Sequence, residues 1–470
     1  MKKIALIPID NRPVCYTLPK QIADIDDEIE VILPERKHLG GLTKPANILA
    51  LLDWLEKLPD VDYVIISLDT IAYGGLVSSR RSEESFDSIK SRVTLLKNIL
   101  QHKKCKTLAF SSVMRISNNN INEEEKEYWA DYGQKIFEYS YNLHKMEKTL
   151  DSELNNKCMC ISARIPQEVL DDYLMTRNRN FRINMLYLDL LSQKVFDTLV
   201  FSKDDCAEYG LNVKEANVLK EKIKERNLNA FVKTGADEIP LSLLSRAVID
   251  GKNVKIAHVF LSPVSIGKIS KYEDISVLES VKSQIELSGA TYSSPEFADL
   301  ILYVNNFKKQ QGEIVMDVFE PGNDNDFKPA NRPYFVADIL NANGADNIFV
   351  SSLLENNLAD TNFYGYTAWN TTGNTLGSAI CTALTKYLAR DVDNTAFKKL
   401  QMIRFLDDWA YQGKIRQKMK RKFVFVDVDY VTRKMRPYEK TLSEKLKFYP
   451  TKVEYSFPWD RSFEIEVSIE

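Results

Sequence analysis

Two pairs of adjacent carboxylates stand at the ends of short apolar runs, and they are the residues best suited to move protons. Asp204 and Asp205 follow the run 199–202, and Asp237 and Glu238 follow 230–234 after a glycine at 235. Neighbouring carboxylates at a strand end can hold unequal pKa values, so that one orients a group while the other exchanges a proton. Asp10, Asn11 and Arg12 follow 4–9, Asp69 follows the run that ends at Leu68, and Arg115 follows 108–114. Arg12, Arg80 and Arg115 are of the type that clamps a carboxylate or phosphate through paired hydrogen bonds, or that neutralises an acidic cluster. Tyr73 precedes Gly74 and Gly75 without the spacing of a dinucleotide or phosphate loop, and Tyr209 and Asn212 follow the first carboxylate pair. In the second half, Asn343 lies in a turn, while Trp369, Asn370 and Asn374 lie where a strand ends and a helix begins. Backbone amides at a helix start suit an anionic or hydroxyl-rich ligand, and an indole suits a sugar face.

Each of these groups has a structural alternative. Asp204, Asp205, Asp237 and Glu238 also fit helix caps, the arginines fit internal neutralisation, and the glycines around Asn374 fit tight helix packing. Cys158 and Cys160 have neither a redox spacing nor a second pair to complete a zinc site, and four histidines are too few for a histidine-rich centre. No resident metal is expected in the leading reading, although Asp10, Asp69, Asp204 or Asp237 would suit Mg²⁺ or Mn²⁺ in an alternative one.

The elements that must position these groups are legible as alternating patterns. Strand-length apolar runs at 3–9, 29–33, 62–68, 106–113, 198–203, 229–234 and 255–261 alternate with helical periodicity at 44–57, 84–102, 122–154, 166–193, 213–226 and 240–250. Residues 158–163 form a weaker strand candidate. Such alternation implies parallel strands joined by crossover helices, either closed into a barrel or open and doubly wound. Polar groups after many strands favour the barrel-like form, because an open sheet gathers its site at one switch point. The expected class is therefore α/β, with a barrel-like or doubly wound domain over 1–262, a second, smaller α/β unit over 263–390, and a helical and β-ribbon extension over 391–470. Within the second unit, strands are expected near 290–293, 299–304, 334–338, 348–351 and 363–367, with a polar loop or lid over 305–332. Helices follow near 372–390 and 395–420, where Arg404 and Asp408 share a face, and 452–470 alternates like a ribbon.

At 470 residues the chain can bury a sizeable core in more than one domain. A net charge of −3 from 63 basic and 66 acidic residues gives no pull toward nucleic acid or an anionic membrane. The basic run 414–422 reads as a solvated helix face. The basic start Met1 to Lys3 leads into too short an apolar run for a signal segment, and no stretch reaches the roughly 20 residues of a membrane span. Six scattered cysteines fit a reducing cytoplasm.

Taken in order, Pro8 to Pro13, Ser67 to Arg80, Asp204 to Asn212, Gly235 to Glu238, Asn343 to Asp346, Trp369 to Thr375 and Phe457 to Trp459 resemble a bacterial family, domain of unknown function 4127. Members usually carry a second carboxylate where this chain has Asn11. The resemblance implies no particular activity, but it implies that both halves form one functional unit with the site near their interface. Several carboxylates, aromatic groups and few histidines lead to an expected hydrolase. It acts on a glycosidic bond of a small saccharide or amino-sugar conjugate, with Asp204 and Asp205 as the principal acid/base groups. The alternatives are a Mg²⁺- or Mn²⁺-dependent enzyme for a phosphorylated or carboxylated metabolite, and a two-domain sensor that binds without turnover.

Overall fold

The computed structural model describes residues 1–204, 206–323 and 327–470, so Asp205, Asp324, Asn325 and Asp326 lie outside the described residues. Six strands, β1 (Lys2–Ile7), β2 (Ile29–Ile32), β3 (Tyr63–Ser67), β4 (Lys106–Val113), β5 (Thr198–Lys203) and β6 (Ala230–Thr234), form a parallel sheet in the order β2-β1-β3-β4-β5-β6. Among the described residues, β2 and β6 end this order without pairing to each other, so the first sheet is open and doubly wound rather than barrel-like. Alternate residues on one strand feed different cores. Ile4 and Leu6 of β1 join one cluster with the helix Pro13–Ala23, while Ala5 and Ile7 join the other with Ile48–Lys57 and Phe86–Gln101. Burial on both faces is why these strands read as continuous apolar runs.

The chain continues through β7 (Lys255–Phe260), β8 (Thr291–Tyr292), β9 (Leu300–Asn305), β10 (Gly312–Glu313), β11 (Tyr334–Asp338), β12 (Asn341–Ala342) and β13 (Phe363–Thr367). Five of these make a second parallel sheet in the order β13-β11-β9-β7-β8, and β10 pairs with β12. Counted from its own first strand, the second sheet repeats the 2-1-3-4-5 order of the first. β7, read from sequence as the last strand of the first unit, is hydrogen-bonded in the second sheet beside β9. A terminal antiparallel ribbon pairs β14 (Val453–Ser456) with β15 (Glu466–Ile469).

The helix Ile239–Ile249 follows β6, the edge strand, yet it packs back against Pro13–Ala23 and along Thr372–Leu388 of the second unit. One apolar cluster consequently draws side chains from both sheets, among them Leu6, Phe110, Tyr303 and Val336, and Leu244 from the helix Ile239–Ile249. Bulk at this seam is limited. Gly377 sits where an added Cβ would lie 2.5 Å from Glu238 Cγ, so only glycine lets the two helices approach.

Three local expectations change. Residues 158–162 are helical within Ser152–Ser162, where Cys158 and Ile161 point inward at helical spacing. The expected helix 122–154 begins only at Trp129 and breaks at Leu150, which adopts φ 55° before Asp151 caps the next helix through the Glu153 amide at 2.9 Å. Residues 348–351 form a helix, Asn347–Leu354, because Asp346 caps it through the Ile348 amide and Phe349, Val350, Leu353 and Leu354 share its buried face. Farther on, Phe405–Ile415 winds as a π-helix between Asn394–Arg404 and Arg416–Lys422. Arg404 and Asp408 form the expected pair at 3.3 Å, both buried.

Candidate functional site

Arg12 organises the centre of the molecule. It precedes Pro13, the first residue of a helix, where the missing proline N–H costs nothing. Its guanidinium donates to Asp10 Oδ2 at 2.9 and 2.6 Å and to both Asp237 oxygens at 3.0 and 2.6 Å. Trp459 lies 5.0 Å from the guanidinium, and its indole N–H donates to Asn11 Oδ1 at 2.7 Å. Three strands separate β1 from β6, so Asp237 reaches Arg12 only because the helix after β6 folds back beneath the sheet. Two buried carboxylates thus share one cation. Burial raises the pKa of Asp237 against the pull of Arg12, and the negative charges of Asp10 and Asp204 raise it further.

Beside this cluster lies a second one, built on the loop after β4. Glu124 accepts from Arg80 at 3.2 Å, Arg115 at 3.0 Å and Arg461 at 2.9 Å. Glu125 pairs with Arg115 at 2.9 Å, and Arg80 also bonds Asp204. Burial works against the charge on Glu124, but the guanidiniums of Arg115, Arg80 and Arg461 outweigh it and hold the acid well below its ordinary range.

A cavity of about 460 Å³ opens between the two clusters, the second sheet and the terminal segment. Of the residues singled out in the sequence, Arg12, Arg115, Asp204, Asp237, Asn343 and Asn370 line it. Asp10 and Arg80 stand directly behind, bonded to Arg12 and Asp204. Asn343 and Asn370 both take positive φ, 62° and 59°, and the Asn343 amide donates to the Asn370 carbonyl at 2.8 Å. Asn343 also donates to Glu313 at 3.0 Å.

Other expected site residues are placed elsewhere. Asp69 is buried under the sheet end, where Ser112 N–H donates to it at 2.7 Å, and desolvation raises its pKa to about 7. Tyr73 is buried beside Arg179, and Tyr209 packs edge-on against Tyr141 and His144. Asn212 is buried near Cys206, and Asn11 is occupied by Trp459. Trp369 packs in the shared core, its carbonyl accepting from Thr375, and Asn374 is buried with its Oδ1 unpartnered. Glu238 is enclosed at the helix seam. Burial pushes its pKa up to about 8 while Gln284 donates to it at 2.8 Å.

The cavity also contains residues that the sequence does not single out as site candidates: Glu123, Glu124, Tyr272, Arg416 and Lys420 of the basic run, and Arg461, which reads as part of a packing corner. The run 414–422 is therefore not uniformly a solvated face, since Arg416 is buried and Lys420 is exposed at the cavity. Its one available signal was the four-residue spacing from Arg404 through Asp408, Gln412, Arg416 and Lys420. Among the described residues, Asp10, Cys15 and Asp237 bring potential metal-ligating atoms within 4.8 Å of one another. All six cysteines are free thiols, and no described helix is long and apolar enough to cross a membrane.

A family model described as "Protein of unknown function (DUF4127)" matches residues 4–468. No curated protein and no solved structure matches the chain.

Proposed function

Starting from the chain's membership of the DUF4127 family, to which it belongs, we propose that it is a hydrolase acting on the glycosidic bond of a small saccharide or amino-sugar conjugate. The reading rests on one observation: Asp237 and Asp204 line the same cavity, and Asp237 shares Arg12 with Asp10 in a buried carboxylate pair. Burial and the neighbouring negative charges raise the pKa of Asp237, which moves its proton exchange toward neutral pH. Asp237 is the proposed acid/base group. Asp204, oriented by Arg80 and Arg115, is its partner across the cavity. Asn343 and Asn370 would hydrogen-bond hydroxyl or acetamido groups.

The test is a screen of saccharide and amino-sugar conjugates for release of a reducing end, with Asp237→Asn and Asp204→Asn in parallel. Turnover should fall about 10²- to 10⁴-fold in Asp237→Asn, the usual contribution of a general acid or base. Full turnover in both variants would sink the reading, and ligand-induced stabilisation without turnover would indicate a sensor.

The Asp10, Cys15 and Asp237 cluster favours a second reading, a Mg²⁺- or Mn²⁺-dependent enzyme. The residues fit such an ion poorly, because Arg12 already bonds both carboxylates and a thiol is a soft ligand. Activity abolished by chelator and restored by Mn²⁺ would favour the metal.

A further inference from the structure

Charge matching around the cavity is nearly complete, and its exception points to a ligand. Arg12 is matched by Asp10 and Asp237, Arg115 by Glu124 and Glu125, and Arg461 by Glu123, Glu124 and Glu464. The lining carboxylates Glu123, Glu124, Asp204 and Asp237 are each within ion-pair distance of an arginine. Arg416 and Lys420 break this pattern. Among the described residues, neither has a carboxylate within 4.0 Å, although both line the cavity.

Arg416 is 4% exposed, its Nε has no hydrogen-bond partner, and its Nη1 donates to the neutral Gln412 at 3.1 Å. Phe463 covers the guanidinium at 4.6 Å, while Glu464 and Glu313 act on it only at longer range. A buried guanidinium with an unpartnered donor is costly, and an anion repays that cost. Lys420, one helical turn on in Arg416–Lys422, adds a second cation at the same wall.

We propose that Arg416 and Lys420 form an anion subsite that seats a carboxylate or phosphate of the ligand, so that the substrate class is an acidic sugar conjugate rather than a neutral saccharide. The inference rests on the cavity being the substrate site. It narrows that reading to a ligand with at least one negative charge. Arg416 provides the desolvated, directional donors, and Lys420 provides a mobile charge at the entrance. Asn343 and Thr371, on the same cavity, remain for uncharged parts of the ligand.

The full-length protein is titrated calorimetrically, at constant ionic strength, with inorganic phosphate, glucuronate and glucose, alongside Arg416→Gln and Lys420→Glu. Saturable binding of phosphate or glucuronate is expected, with glucose at least about tenfold weaker, because a charge-assisted hydrogen bond contributes about 1.5–3 kcal/mol. Which anion binds identifies the source of the charge. Both variants should weaken anion binding about tenfold or more. Lys420 is exposed, so Lys420→Glu tests the subsite even if Arg416→Gln does not fold. Absence of anion binding by the unaltered protein, or equal binding by Lys420→Glu, overturns the inference. Failure of the hydrolase reading looks different: anions bind and respond to Lys420→Glu, but no conjugate is turned over.

Discussion

The carboxylates of the cavity and those of the helix seam face the same problem, charge removed from water, and they meet it with different donors. At the cavity, Glu124 is surrounded by guanidiniums and stays ionised. At the seam, Glu238 accepts from the neutral Gln284, and Glu273 accepts from Gly373 N–H at 2.7 Å and from Ser280. Burial therefore prevails there, raising Glu238 to about 8 and Glu273 to about 7. The number of guanidiniums decides: three outweigh burial at Glu124, whereas Arg12 alone, shared with Asp10, does not do so at Asp237. The same contrast separates the regions: guanidiniums keep Glu124 charged at the cavity wall, while at the seam Glu238 and Glu273 titrate near or above neutrality and accept from Gln284 and Gly373.

Removing a cation from the cavity side should produce the largest effect. Arg80→Met leaves Glu124, Glu125 and Asp204 short of a guanidinium whose side chain is 1% exposed, and stability measured by urea denaturation should fall by about 3–5 kcal/mol. A loss below about 1 kcal/mol would show that Arg115 and Arg461 suffice. On the seam side, Gly377→Ala forces a methyl against Glu238 and should cost about 1–3 kcal/mol in the same assay.

Glu238→Gln sharpens the comparison through pH. A carboxyl whose pKa is raised from 4.5 to about 8 contributes stability that is full below pH 4.5 and is lost as pH rises through 8. Glu124, whose pKa is lowered, contributes stability present above 4.5 and lost as pH falls below that value. Glu238→Gln should therefore be within about 1 kcal/mol of the parent below pH 4.5, where the acid is neutral in both states, and should be the more stable of the two near neutrality, because the amide has no proton to lose on unfolding. Its stability should decline less between pH 5 and pH 8 on the scale set by that shift. An unchanged slope over this window, followed by thermal unfolding, would show that Glu238 is ionised in the fold. The smallest effect is expected for Trp459→Phe. It removes the 2.7 Å bond to Asn11 and weakens the ring contact with Arg12, for about 1 kcal/mol in melting experiments.

Local order was well expressed in the chain. Runs such as 62–68 and 198–203 lie in strands buried on both faces, and Ser276 with Glu279 closes a capping box at the start of Val277–Leu287. Errors arose where a short apolar run suited either periodicity. Residues 348–351 hold apolar side chains compatible with a strand, and only the Asp346 cap and the packing of Leu353 and Leu354 decide for helix.

The site was legible in part for the same reason. Arg12, Arg115, Asp204 and Asp237 follow strands directly, and parallel strands deliver their ends to one edge. Asp69 and Glu238 follow strands as well, but the helices after them turn their carboxyls inward, against Ser112 and Gln284. Arg461 belongs to the C-terminal part of the chain and its approach to Glu124 has no local signature, while Arg416 and Lys420 carry only a four-residue spacing.

By itself the sequence determined the α/β class, the family and most element positions, because periodicity, caps and turns act over a few residues. Tertiary structure alone decided that the first sheet is open, that β7 belongs to the second, and that Asp237 meets Arg12 across three strands. Those outcomes depend on which faces bury one another and which charges must be paired once water is gone. Such energies arise between residues far apart in the chain and are defined only when the whole core closes.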